Sequence, residues 1–538
     1  MIQRPSLFGA GRWRGLACLV LLAIGQAVTM VVTAFATRDV FVYLRDSTSL
    51  PPYGALVAIA GAGLALFALR AVEGRIAERT GQSYAAAIRK TLFRHITCLP
   101  VSELARRRSG ALALRYVGDL AAFKGWVSRG VARLISASIT IPAAFFVLYL
   151  LEPRLLPVAA VPIALVTAVI FTLSAPLGTA HAQLRTRRSG LAAAMAERLP
   201  QGIALRRSGR VKTELQALAR KSDGIAEAAV RRASLAATIR ALPDAGAGVA
   251  SALCLLLAMR IGLNVADAAA ALTALALIVW PLRHLADVAD RRRAYGVASE
   301  KLDRLLSAER LPVARKIAPE ADAPALDLQH VALPGLHPFD LRLAQGEVRR
   351  LSGPRGCGKS VLLLALAGFE APPPAKRFNV LGADPVALQT GRILYLGRQS
   401  PQLKGSLRRE ATLGIGRQPS ANEILSALRR AGLAGLAERL GGLEGHIDEG
   451  RRNLTASEQS RLLLVRGLLA RPSLALIDAD EIGLDATALT ALLDHLGSMG
   501  AAALVVTADR TTSRRLGPPC ALKPRRARAR AEETPEDA

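Results

Sequence analysis

The chain has 538 residues, 51% of them hydrophobic, and a mean hydropathy of +0.28. That is too apolar for an ordinary soluble protein and too dilute for a pure membrane protein, whereas a membrane part joined to a soluble part, two or three domains in all, accounts for both. The net charge of +29, from 71 Lys+Arg against 42 Asp+Glu, points to nucleic acid in a soluble chain but belongs in cytoplasmic loops in a membrane chain.

The first apolar run, residues 15–36, is about 22 residues long, beyond the roughly 7–15 of a signal-peptide core. No small-residue cleavage site leading into a soluble secreted domain follows it, so it reads as a retained membrane helix. Crossing the hydrocarbon takes roughly 20 apolar residues. Runs that meet or approach this follow at about residues 53–69, 134–151 and 155–173. Two weaker ones, 245–259 and 268–282, read either as further spans or as buried soluble helices.

The connecting segments alternate in character. Arg38, Asp39, Arg45 and Asp46 balance to zero between the first two runs, and little more than Glu152 and Arg154 separates the third from the fourth. The stretch 70–133 instead carries Arg75, Arg79, Arg89, Lys90, Arg94, Arg106, Arg107, Arg108 and Arg115. The stretch 181–240 carries Arg187, Arg188, Arg206, Arg207, Arg231 and Arg232. The positive-inside rule places both long stretches in the cytoplasm, with Arg4, Arg12 and Arg14, and turns the short segments outward. The basic excess then needs no nucleic acid to explain it. Both long stretches are rich in Ala, Leu, Arg and Glu, and read as cytoplasmic extensions of the membrane helices.

A further helical stretch passes through Glu300, Lys301 and Arg304 and breaks at Leu311–Pro312. The expected organisation is a membrane domain over 1–310, a Pro- and Ala-containing linker over 311–325, and an α/β domain over 326–516, where short apolar strands alternate with helical runs. The tail 517–538 joins Pro518 and Pro519 to Arg525, Arg526, Arg528 and Arg530, then Glu532, Glu533, Glu536 and Asp537. It reads as a disordered, solvated tail in preference to a lipid- or partner-binding one. Cys18, Cys98, Cys254, Cys357 and Cys520 form no CxxC pair, so neither a disulfide framework nor a zinc site is indicated.

The segment Gly353, Pro354, Arg355, Gly356, Cys357, Gly358, Lys359, Ser360 fits GxxxxGK[ST] at every required position. Residues 348–351 can form the preceding strand, and an apolar helical run from Val361 follows. Glycines let the backbone wrap phosphates with its N–H groups, and the helix N-terminus adds its dipole. Lys359 is expected to reach the outer phosphates of ATP, and Ser360 to hold Mg2+. The apolar strand 474–477 ends in Asp478, the second residue expected on the metal. Cys357, inside the loop, reads as a small filler ahead of a redox sensor, although a helix N-terminus lowers a thiol's pKa.

The order of these motifs resembles the ABC transporter family, specifically half-transporters with the type I exporter fold. That resemblance implies an all-α bundle of about six membrane helices followed by a P-loop α/β domain. The stretch 394–401 resembles the glutamine loop, which implies nucleotide and metal contact for Gln399. Leu454, Thr455, Ala456, Ser457 and Glu458 occupy the place of the LSGGQ signature, with Arg461, Leu462, Arg466, Leu468, Leu469 and Pro472 following at the family's spacing. Gly483-Leu484-Asp485 matches the D-loop. The segment from Ser109 to Asp119 resembles the first cytoplasmic loop, with its Gly, Arg and Asp, and Glu197 lies in a stretch like the second.

The departures bear on mechanism. The family's catalytic glutamate position is Ala479, with Asp480 and Glu481 one and two residues later, and the switch-histidine position is Ala508. Both signature glycines are replaced, by Ala456 and Ser457, whose Cβ atoms crowd the approach to an outer phosphate. No aromatic for adenine stands near Val331-Ala332-Leu333-Pro334. A general base is worth roughly 10²–10⁴-fold in rate, so MgATP binding with little or no hydrolysis is expected.

The resemblance also implies a dimer, with a catalytically intact second half favoured over a second copy. It further implies export of an unknown substrate through a bacterial inner membrane, with the N-terminus and ATP-binding domain cytoplasmic. A non-transporting regulatory or assembly subunit that binds ATP is the alternative.

Overall fold

The computed structural model describes residues 4–45, 51–106, 120–312, 316–320, 322–516 and 518–524. Asp46, Arg107, Arg108, Arg115, the segment from Ser109 to Asp119, Gly517 and the tail from Arg525 lie outside the described residues. The chain forms two units, one of Met1–Ile96 with Gly110–Ala308, the other of Thr97–Ser109 with Glu309–Ala538.

Six helices long and apolar enough to cross a membrane build the first unit: Arg12–Arg45, Tyr53–Ile96, Leu120–Leu151, Leu155–Arg207, Val211–Ile261 and Val265–Leu306. The two weak apolar runs are the membrane-length parts of the last two, which have 51 and 42 residues. At 1.5 Å per residue such helices are about 60–75 Å long, twice the hydrocarbon thickness, so Arg- and Glu-rich turns continue each apolar stretch. The first helix runs to Arg45, so Arg38 and Asp39 are helical and not part of a loop. Arg38 pairs with Asp267, and Arg45 donates to Asn264, whose side chain also accepts from the Ala266 N–H and caps the sixth helix.

Helix contacts in this unit use small residues. Ala34, Ala144, Ala159, Ala250, Ala271 and Ala274 are buried in one cluster with Met30, Leu148, Leu155 and Ile278. Small side chains let backbones approach where lipid removes any hydrophobic gain from association. Leu64, Phe67, Val161 and Leu165 are exposed, as lipid-facing side chains are. The third helix contains a π-helical stretch, Trp126–Val131.

Among the described residues the second unit holds ten strands: β1 (Leu326–Val331), β2 (Phe339–Leu343), β3 (Val348–Ser352), β4 (Arg377–Val380), β5 (Ile393–Leu396), β6 (Gly405–Ser406), β7 (His446–Ile447), β8 (Leu474–Asp478), β9 (Ala502–Val506) and β10 (Cys520–Ala521). β2-β1-β4 is an antiparallel sheet. β10-β3-β9-β8-β5 is a parallel one. β8 and β9 are buried throughout, which is why they read as unbroken apolar runs instead of alternating ones.

Two chain segments outside the strands belong to this unit. Ile317, in the linker segment, bonds to Ala387 and Gln389 across a β-bridge to Leu388. The short helix Val101–Ala105 docks through Val101 N–H on the Phe369 carbonyl, while the Ser102 N–H and hydroxyl donate to Glu370 at 2.9 and 2.8 Å. One further feature ties the helical part of the unit together. Buried Glu410 receives Arg466 at 2.7 Å and also pairs with Arg451, three residues before Leu454.

Candidate functional site

In a parallel sheet with helices on both faces, ligands gather beyond the carboxyl ends of the strands. Here that edge collects the ends of β3, β8, β5 and β9, and each strand hands over directly to one of the sequence motifs. β3 ends at Ser352 and opens into Gly353–Gly358, after which the helix Lys359–Leu366 begins. Gly358 caps that helix at φ 94°, and Gly356 has φ 76°, backbone that side-chain-bearing residues seldom adopt. A Cβ on Gly353 would meet Cys357 Sγ at 2.9 Å and Leu522 Cβ at 3.2 Å, so the loop closes only with glycine there.

Lys359 folds back over this loop. Its Nζ donates to the Gly353 and Pro354 carbonyls, each at 2.9 Å, and lies 3.9 Å from Cys357 Sγ. The ammonium is thus held over the N–H-lined cradle by two neutral acceptors, which an incoming phosphate can replace. Pro354, Arg355 and Gly356 are exposed, and Val361 stands exposed on the first turn of the helix.

Ser360 donates its hydroxyl to Asp478 Oδ2 at 2.7 Å, joining residues 118 apart in sequence. Asp478 is buried at the end of β8, and its other oxygen caps the short helix Ala479–Ile482 by accepting from the Glu481 N–H. A hydroxyl and a carboxylate in direct contact beside a phosphate cradle are the oxygen donors Mg2+ takes. The residues therefore fit MgATP: the loop N–H groups and Lys359 for phosphate, and Ser360 with Asp478 for the metal. Among the described residues no group of three His, Cys, Asp or Glu side chains forms any other metal site.

Gln399 follows β5, is exposed, and makes no side-chain hydrogen bond to another described residue. Its neighbour Arg398 offers its backbone N–H to Glu481 at 3.5 Å. Beneath them Tyr395 is buried, stacked edge-on against Phe369. Burial, together with the Glu481 and Asp478 carboxylates, pushes its phenol above the ordinary range. Leu333 packs toward Gly358, its Cδ1 3.7 Å from where a Cβ would stand.

Ala479 is 1% exposed, a methyl group in the domain core. Asp480 is committed elsewhere: its Oδ1 accepts from the Ala508 N–H at 2.8 Å, tying the turn after β8 to the turn after β9. Both places where the resemblance implies proton-transfer groups thus carry methyls. Sequence reading missed the Asp480 tie and the Glu481 contact. Acidic residues directly after a strand-end aspartate were the one available signal.

Thr455, Ala456, Ser457 and Glu458 stand at the start of the 14-residue helix Ala456–Leu469. Thr455 and Glu458 form a reciprocal capping box, at 3.2 Å for the Glu458 N–H and 2.8 Å for the Thr455 N–H. Arg439 adds a 2.6 Å ion pair to Glu458. Burial raises the Glu458 carboxyl, but the Thr455 N–H and the Arg439 guanidinium outweigh it and leave its pKa below the usual range. Ala456 and Ser457 are exposed, so their side chains stand at the mouth of the helix end.

Comparison with known proteins agrees with this geometry. Residues 14–282, half of the chain, match the model of the ABC transporter transmembrane region, and residues 336–480 match the model of the ABC transporter. The ATP-binding protein SsuB 1 for aliphatic sulfonates import in Nocardia farcinica is 33% identical over 179 residues, 32% of this chain and 64% of that protein. The thiamine import ATP-binding protein ThiQ of Mesorhizobium japonicum is 31% identical over 33% of this chain and 71% of its own length. The ABC transporter ATP-binding protein RamB of Streptomyces coelicolor is 33% identical over 36% of this chain. The chain spans less than two thirds of SsuB 1, and 33% of RamB.

A solved structure titled as a bacterial Atm1-family ABC exporter with ATP bound superposes with a TM-score of 0.76 at 18% identity, over 94% of this chain and 92% of its own. The protein is thus an integral membrane protein that belongs to the ABC transporter family, a half-transporter with the type I exporter fold whose membrane region and ATP-binding domain share one chain.

Proposed function

We propose that this half-transporter binds MgATP through Gly353, Pro354, Arg355, Gly356, Cys357, Gly358, Lys359, Ser360, Val361, Gln399 and Asp478, and hydrolyses it slowly or not at all. The observation that carries this is the pairing of a formed phosphate loop, with Ser360 on Asp478 at 2.7 Å, with alanines at positions 479 and 508. Positioning and metal binding are kept while the general base, worth roughly 10²–10⁴-fold, is gone.

Transport then draws on a second half with an intact catalytic set. Its signature faces this chain's phosphate loop, and this chain's Thr455–Glu458 faces its nucleotide. The fold favours export, and the Arg-rich helical extensions favour a cytoplasmic ATP-binding domain in a bacterial inner membrane. Aliphatic sulfonate and thiamine belong to the names of the relatives alone. The test measures MgATP affinity and turnover on the same purified chain in lipid nanodiscs. Binding lost in Lys359→Ala, with turnover indistinguishable between the two proteins, is the expected pair of results. Turnover that Lys359→Ala abolishes would overturn the reading.

A further inference from the structure

Within the membrane unit, one cavity of about 230 Å³ lies between the second, third and sixth helices, with Arg70, Glu73, Ser128, Arg129, Trp280 and His284 among its walls. Glu73, Arg133 and His284 each lie about 27–30 Å along their helices from the ends at Tyr53, Leu151 and Val265, at 1.5 Å per residue. That distance is the thickness of the hydrocarbon core, so the cavity opens at one membrane edge. Ser128 and Arg129 also belong to the π-helical stretch, a departure from α geometry often found at binding sites.

The bonding capacity left over has a definite sign. Of the nearby carboxylates, Glu78 pairs with Lys124 at 2.6 Å and Asp287 pairs with Arg133, while Glu73 accepts from the neutral Gln26 amide at 2.7 Å. The Arg70 guanidinium lies 3.8 Å over the Trp280 ring, which holds it in place without neutralising it. Trp280 in turn meets His284 edge-on at 4.1 Å. Arg129 has no carboxylate at ion-pair distance among the described residues. Three buried polar atoms of the cavity lining have no partner there: Arg70 Nε, Ser128 Oγ and His284 Nε2. Ser128 is 7% exposed. Arg70 and Arg129 outnumber Glu73, the one lining carboxylate without an ion pair among the described residues, and an N–H, a hydroxyl and a guanidinium remain to donate.

We propose that this cavity binds a phosphate-type oxyanion, either free or as the headgroup of a lipid-like molecule. The volume takes a headgroup but not a drug-sized molecule, which needs about 300–1,000 Å³, so the apolar remainder lies outside it. As the substrate of the half-transporter, this ligand rests on the transport reading; as a bound ligand, it does not.

The experiment uses the full chain in phosphatidylcholine nanodiscs and follows tryptophan fluorescence, with Trp280→Phe identifying the signal. The probes are dodecyl phosphate, inorganic phosphate and dodecyltrimethylammonium. Dodecyl phosphate is expected to give a saturable response, at least tenfold weaker in Arg129→Gln, at unchanged MgATP affinity. Ser128→Ala, which removes one hydroxyl, is expected to weaken binding about tenfold, the loss of one hydrogen bond to a charged group. It serves as the test should Arg129→Gln lose MgATP binding and so prove misfolded. A matching response to inorganic phosphate identifies a free anion as the source, and silence there identifies the lipid-like molecule. A response to dodecyltrimethylammonium equal to that of dodecyl phosphate, or affinity unchanged in both variants, overturns the proposal. Binding without ATP-dependent transport would keep the site and remove the transport reading.

Discussion

Replacing Glu410 with alanine removes the one carboxylate that two buried guanidiniums share. Glu410, Arg451 and Arg466 are 1%, 4% and 3% exposed. Arg466 donates to Glu410 Oε1 at 2.7 Å, to the Glu410 carbonyl at 2.8 Å and to the Pro401 carbonyl at 2.7 Å. Arg451 pairs with the same Oε1, and its Nε and one terminal nitrogen are buried without partners. Glu410 Oε2 also accepts from the Leu403 N–H at 3.2 Å. Burial lowers both guanidiniums to about 10, with Arg466 lowering Arg451 further, so both stay charged at neutral pH.

Breaking a buried pair by removing one partner costs about 3–5 kcal/mol. In a unit of this size about 1 kcal/mol shifts the melting temperature by roughly 2–4 °C, so Glu410→Ala is expected to lower it by about 6–20 °C. The full chain in nanodiscs would be heated, cleaved briefly with protease, and scored for survival of the 309–538 fragment. The triple change Glu410→Leu, Arg451→Met, Arg466→Met is expected to recover most of the loss, since apolar groups of similar volume replace buried ion pairs at little cost. A shift below about 2 °C for Glu410→Ala would refute the reasoning, because the guanidiniums would then have found water or other acceptors.

Three further outcomes follow from the same geometry. Asp478→Asn removes the negative charge opposite Ser360 and is expected to make ATP affinity insensitive to Mg2+, measured by titration with and without the metal. Thr455→Ala removes the cap of the signature helix and is expected to cost about 1 kcal/mol, seen as faster hydrogen exchange confined to the first turn after residue 455. The Glu458 carboxyl has a depressed pKa in the folded state, so its contribution is complete above the unfolded value near about 4.3 and is lost as pH falls through the lower folded value. Exchange protection of that turn is accordingly expected to stay flat from neutral pH to about 5 and to fall only in stronger acid.

Much of the fold is legible in the residues because membrane and sheet both demand long apolar runs. The six spans, the β8 strand and the phosphate loop each show such a run or a glycine pattern. Helix ends were less legible. The first helix continues past Ala36 to Arg45 because Arg38 and Arg45 find Asp267 and Asn264 on the sixth, partners more than 200 residues away. That Ser360 and Asp478 serve one metal was expected from motif order, since the two residue types and their strand contexts are local signals; their direct hydrogen bond was not. The tie from Asp480 to the Ala508 N–H was not, because it depends on how two turns meet at the sheet edge. The donor-rich cavity in the membrane unit was likewise hidden. Arg70, Arg129 and Arg133 carry no local motif, and only the packing sets them around one space.

On this reading the chain keeps the means to hold MgATP and lacks the means to cleave it. The most direct measurement is steady-state MgATP hydrolysis by the purified chain in lipid nanodiscs at saturating nucleotide, with Lys359→Ala beside it and nucleotide affinity recorded for both. Clear binding by the native chain, weak binding by the variant and no difference in turnover are expected. Turnover by the native chain that the variant loses would contradict this reading, and would mean that Asp480, Glu481 or Gln399 supplies the chemistry that Ala479 and Ala508 do not.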